Sequence, residues 1–87
     1  MRENFRLTPE VQATFTSKLT REPHEFCGRR VSQVVRTDAL KLVLEDGSWV
    51  CYRLSGTEPV VRVYSEARSP EDLAKLSTRA KEWIFES

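Results

Sequence analysis

An 87-residue chain makes one domain that buries about two thirds of its unfolded surface, with room for a sheet and a helix layer. Lys and Arg at 14 balance Asp and Glu at 13, so no broad basic field exists and nonspecific nucleic-acid binding as the main task is disfavoured. Two cysteines outside any Cys-x-x-Cys spacing and one histidine argue against zinc; with no bilayer-length apolar run and no signal pattern, the expected place is the cytoplasm, which favours free thiols at Cys27 and Cys51 over a disulfide and leaves both open.

Residues 1–7 are polar with two apolar anchors and are expected to be an interdomain linker, leaving 8–87 as the domain. Thr8-Pro9-Glu10 starts a helix, with Thr8 as N-cap and Pro9 at the first helical position. Val11, Phe15 and Leu19 form one apolar stripe, and Glu22-Pro23 is expected to end it. Residues 22–29 read as a connection in which the lone His24 is assigned no role. Arg30 to Thr37 and Ala39 to Glu45 read as strands, with Asp38 as the turn between them and Leu42 and Leu44 facing the helices. Asp46-Gly47 is a strong hairpin signal, followed by strands at Ser48 to Leu54 and Val60 to Ala67. Ser69-Pro70-Glu71-Asp72 starts a second helix whose Leu73, Leu76, Ala80, Trp83 and Ile84 share a face. The expected fold is α+β, in the order α-β-β-β-β-α. Short connections make its four-stranded sheet mainly antiparallel, with both helices on one face.

The chemistry gathers between the last two strands. In Arg53-Leu-Ser-Gly-Thr-Glu-Pro-Val-Val-Arg62, the hydroxyls of Ser55 and Thr57, the permissive backbone of Gly56 and the flanking guanidiniums of Arg53 and Arg62 suit a phosphate. Ser-Gly and Glu-Pro are also ordinary turn residues. Neither a Gly-x-Gly-x-x-Gly nor a Gly-Lys-Ser/Thr pattern is present. Spacing alone leaves a plain hairpin loop and a phosphate grip both open.

The run from Arg53 through Ala67, with Asp46-Gly-Ser-Trp-Val50 before it, resembles the C-terminal signature of the α-D-phosphohexomutases, the phosphoglucomutase/phosphomannomutase family. Leu54 stands where that family often has Pro. The resemblance implies a TATA-binding-protein-like domain. Its loop, with Arg53, Ser55, Gly56, Thr57 and Arg62, would grip the phosphate of a hexose phosphate such as glucose or mannose phosphate. Glu58 would orient an arginine or cap the turn. The family's phosphoserine, Asp-rich metal and sugar-loop segments are absent from these residues. The chain would then be one domain of an intramolecular phosphotransferase, inactive alone. Its partners would be the N-terminal domains of the same chain; it would hold no cofactor itself, Mg²⁺ being expected in the full-length enzyme. Neither nucleic acid nor membrane is an expected partner. The alternative is a free-standing α/β module for RNA or a phosphorylated ligand, with Trp49, Tyr52 and Tyr64 as stacking surfaces on an open sheet face.

Overall fold

Both helix starts written in the sequence are used. In the computed structural model, which describes residues 1–36, 39–55 and 57–86, Thr8 Oγ1 accepts the Val11 N–H at 3.2 Å and opens α1 (Pro9–Lys18). Ser69 Oγ accepts the Asp72 N–H at 3.1 Å and opens α2 (Pro70–Phe85). The first helix stops at Lys18, short of Glu22-Pro23. A distant arginine explains the earlier end: Arg36 donates to the carbonyls of Leu19 and Arg21 and pairs with Glu22. Those carbonyls would otherwise lack partners at the helix terminus.

Among the described residues the sheet has six strands rather than the four expected, and the class is α+β as read. The strands are β1 (Arg2–Arg6), β2 (Glu25–Phe26), β3 (Arg29–Arg36), β4 (Leu40–Leu44), β5 (Trp49–Leu54) and β6 (Val60–Glu66). They lie side by side in the order β1-β6-β5-β4-β3-β2, each neighbouring pair antiparallel. The two additional strands are both edges. Residues 1–7, expected as linker, carry β1, whose Arg2 to Arg6 pair with Tyr64 to Val60. Residues 22–29, expected as a connection, carry β2, which turns into β3 through Cys27 and Gly28 at φ 55 and 75°. Two successive positive φ values form the tight turn that suits strand twist, and a cysteine is an unusual residue to hold the first.

Asp46-Gly47 makes its hairpin. The Gly47 N–H reaches Leu44 O at 2.9 Å and the Leu44 N–H reaches Ser48 O at 2.8 Å, with Gly47 at φ 92°. That is a type I turn followed by a glycine bulge. A Cβ at Gly47 would meet nothing within 4 Å, so the backbone angle alone calls for glycine there. Asp46 accepts from both the N–H and the hydroxyl of Ser48 and pairs with Arg29. The Ser48 bonds hold its carboxyl below the ordinary value of 3.8. Asp38, expected as the turn between β3 and β4, lies outside the described residues.

Alternation divides the sheet cleanly. Leu40, Leu42, Leu44, Val50, Tyr52, Val61 and Val63 are buried on one face, and both helices cover it. Phe15 of α1, Tyr52 of β5 and Trp83 of α2 meet with ring centroids 5.0 to 5.8 Å apart, and Phe26 of β2 reaches Trp83 at 6.2 Å. Tyr52 donates to Ala80 O at 2.8 Å, and burial pushes its phenol far above the usual range. Lys18 joins the helices too: its ammonium donates to Trp83 O and lies over the Trp83 ring. Cys27 and Cys51 are half-buried free thiols. The opposite face carries Trp49, Cys51, Arg53, Arg62 and Tyr64 with no helix over it.

Candidate functional site: an arginine-flanked loop at one end of the sheet

The β5–β6 loop is closed at its base by the strands themselves. The Ser55 N–H donates to Val60 O at 2.9 Å, and the Val60 N–H donates to Glu58 O at 2.8 Å, a tight turn centred on Pro59. Within it the hydroxyls of Ser55 and Thr57 lie 3.4 Å apart, and the Thr57 N–H is held only by Ser55 Oγ at 3.4 Å. Neither Thr57 nor Glu58 gives its N–H to a carbonyl among the described residues. Such groups are available to an anion at the loop. Gly56, the fifth residue of the expected set, lies outside the described residues.

Register decides where the arginines sit. Arg53 is directly opposite Arg62 across the β5–β6 pair, and Asn4 of β1 is directly opposite Arg62 on its other side. Period-2 alternation sends all three side chains to the uncovered face. Directly opposed residues have Cβ atoms about 4.5–5.5 Å apart, a distance at which like charges repel. Among the described residues no carboxylate ion-pairs with either arginine; the salt bridges there involve Arg29, Arg36 and Arg79. Glu58, expected to orient an arginine or cap the turn, makes no ion pair and no side-chain hydrogen bond among the described residues; it is exposed on the loop. Glu58 nonetheless lines a cleft together with Arg62.

Two shallow clefts adjoin along this loop and share Ser55 and Arg62. One, of about 360 Å³, is lined by Asn4, Arg6, Ser55, Thr57, Glu58, Val60 and Arg62. The other, of about 190 Å³, is lined by Arg53, Leu54, Ser55 and Arg62. Asn4 and Arg6 were missed by sequence reasoning because β1 was taken for linker. The signal was there: Arg2, Asn4 and Arg6 alternate with Glu3, Phe5 and Leu7, the period of a half-buried strand. At the other end of the sheet, a cleft of about 360 Å³ is lined in part by Cys27, Arg29, Asp72 and Lys75. Its Arg29 is already neutralised by Asp46 and Asp72. At the loop, by contrast, neither Arg53 nor Arg62 is in an ion pair among the described residues.

Of the three stacking residues expected for an RNA module, Trp49 and Tyr64 share the open face and Tyr52 does not. Tyr52 is buried on the helix-covered face, because it shares the parity of Val50 and Leu54. Trp49 is on the open face but is overlaid by the Lys41 ammonium at 4.3 Å and donates to Glu66 at 3.2 Å. Among the described residues no three His, Cys, Asp or Glu side chains gather as a metal site. No helix among the described residues is long and apolar enough to cross a membrane.

Comparison with known proteins converges on one family. Residues 10–82 match the family described as "Phosphoglucomutase/phosphomannomutase, C-terminal domain". A "Phosphoglucomutase/phosphomannomutase" of Thermococcus kodakarensis is 43% identical over 47 residues, covering 54% of this chain and 10% of that protein. A "Probable phosphoglucosamine mutase" of Methanosphaera stadtmanae is 33% identical over 54 residues, 62% of this chain and 12% of the relative. A "Phosphopentomutase" of Thermococcus kodakarensis is 33% identical over 58 residues, 67% and 13% respectively. The matched stretch is thus about a tenth of each relative's length.

Proposed function

The chain belongs to the phosphoglucomutase/phosphomannomutase C-terminal domain family, and from that premise we propose that it serves as the phosphate-gripping domain of a sugar-phosphate mutase. Arg53, Ser55, Gly56, Thr57 and Arg62 form the grip. The observation that carries this reading is the directly opposed pair Arg53 and Arg62, neither in an ion pair among the described residues, beside a loop of hydroxyls and spare N–H groups. A phosphate dianion between the two guanidiniums removes their repulsion and accepts two-pronged, charge-assisted hydrogen bonds from each. The domain's contribution is positioning: it holds the phosphate away from the reacting centre while domains elsewhere in the enzyme carry out transfer.

The parent reaction in this reading interconverts hexose 1-phosphate and hexose 6-phosphate. The relatives are named for different sugars, from phosphoglucosamine to phosphopentose, which suits a grip that reads phosphate and ignores the ring. Residues 2–6 then enter the domain through its first strand, β1.

Amide-resolved NMR titration of the chain with glucose 1-phosphate, with glucose as control, tests the proposal. Saturable shifts are expected at Ser55, Thr57, Glu58, Arg53 and Arg62, at about millimolar affinity for one exposed phosphate site. Arg62→Ala should weaken binding about tenfold, the order of one hydrogen bond to a charged group. Shifts spread across the sheet with RNA and none with sugar phosphate would overturn the reading.

A further inference from the structure

We propose that Arg6 is a third phosphate-binding guanidinium of this site, and that Asn4 beside it is a positioning residue. The inference rests on the phosphate-grip reading and extends it to a strand that the loop signature does not contain. Arg6 lines the same cleft as Ser55, Thr57 and Arg62. It is opposite Val60 at the end of β1, one alternate step from the Asn4–Arg62 pair, so Arg6 and Arg62 are diagonal neighbours on the open face. Diagonal positions across two strands stay within reach of long side chains.

The backbone holds Arg6 in place from both sides. Phe5 packs against the core and Leu7 is buried within it. The Leu7 N–H donates to Pro59 O at 2.7 Å, tying the exit of β1 to the β5–β6 loop. With its neighbours anchored on the helix face, Arg6 is directed to the other. No carboxylate pairs with it among the described residues, although Glu58 lines the same cleft. Asn4 carries an amide that can accept from Arg62 and donate to an anion at once.

Arginine on an edge strand has another ordinary use, which is to discourage pairing with a second sheet edge. Arg2 supplies the control. It lies on the same strand and the same face, carries the same charge, but is opposite Tyr64, away from the loop.

The test is titration with inorganic phosphate, then with glucose 1-phosphate, at fixed ionic strength, following amide and arginine Nε–H resonances of the 87-residue chain. The Arg6 Nε–H is expected to shift with the same midpoint as Ser55 and Thr57. Arg6→Ala should raise Kd about three- to tenfold, Arg6→Lys should raise it less, and Arg2→Ala should leave it unchanged. A well-dispersed spectrum of Arg6→Lys guards against misreading a folding defect as a binding defect. If the loop saturates while Arg6→Ala has no effect, or if Arg6→Ala and Arg2→Ala weaken binding equally, Arg6 is not a ligand and the grip by the loop still stands. If neither the loop nor Arg6 responds, both proposals fall.

Discussion

Arg53 and Arg62 are nine positions apart in the chain and directly opposite in the sheet. The sequence showed both as flanking a turn, and their alternation placed Arg62 on the less apolar face. What the sequence does not state is register: only the Ser55–Val60 closure sets residue against residue. Two guanidiniums opposed without a counter-charge weaken the sheet locally, the kind of local conflict that binding sites retain. Arg62→Thr, which restores a β-favoured and neutral residue, should therefore stabilise the ligand-free chain by about 0.5 kcal/mol at low salt, from the Coulomb repulsion of two exposed charges about 6–8 Å apart. Thermal unfolding in dilute buffer and again near 1 M NaCl checks this; the gain should vanish where screening is complete. A variant that is no more stable than the parent at low salt would mean that the two arginines already splay apart.

At the scale of elements, the strongly patterned pieces were legible and the short ones were not. The α2 stripe of Leu76, Ala80, Trp83 and Ile84 and the Asp46-Gly47 hairpin stand where expected, because each has a cap or turn residue of the right kind at its end. β2 is only two residues long, too short for any period to register, and its turn uses Cys27 where asparagine or glycine would have announced it. The end of α1 was misplaced because its terminator, Arg36, comes from β3 and cannot be read locally.

The Asp46 hairpin also gives the domain a pH signature. Its carboxyl is held below the ordinary 3.8 by the Ser48 bonds, so the folded chain binds that proton less readily than the unfolded one. The resulting stability is fully present above the ordinary value and is lost as pH falls through the folded one. Asp46→Asn, which keeps an acceptor but not the charge facing Arg29, should cost about 0.5–1 kcal/mol at neutral pH. It should also flatten the acid limb of a stability–pH curve below about pH 4. An unchanged acid limb would place the acid sensitivity on other carboxylates.

For the molecule as a whole, composition and order of elements led to the right class with an incomplete sheet. Four strands became six because both edges are built from segments whose neighbours are polar, β1 at residues 2–6 and β2 beside His24. The sheet has helices on one face and a bare arginine-bearing face on the other, on the proposed reading a scaffold for holding a phosphate against the rest of the enzyme. On the proposed reading, the chain alone with Mg²⁺ should form no glucose 6-phosphate from glucose 1-phosphate above the uncatalysed background. A coupled assay measures this directly, and turnover that survives repurification would mean that the chemistry lies in these residues after all.

The position of β1 has one more consequence. Its five residues close the sheet against β6, nearly sixty positions further along the chain, at an edge where a strand has a neighbour on one side only. Edge strands lie at the low end of the local stability scale, and a pairing this distant in sequence is among the later ones to form. The loop with Arg53 and Arg62 belongs to the sheet interior, whereas Arg6 belongs to its margin. The proposed site thus straddles the sheet interior and an edge strand, the part of a sheet whose local opening costs least. A phosphate that touches both is bound more tightly with that edge closed, so it would slow hydrogen exchange along Glu3 to Leu7, at amides it never meets.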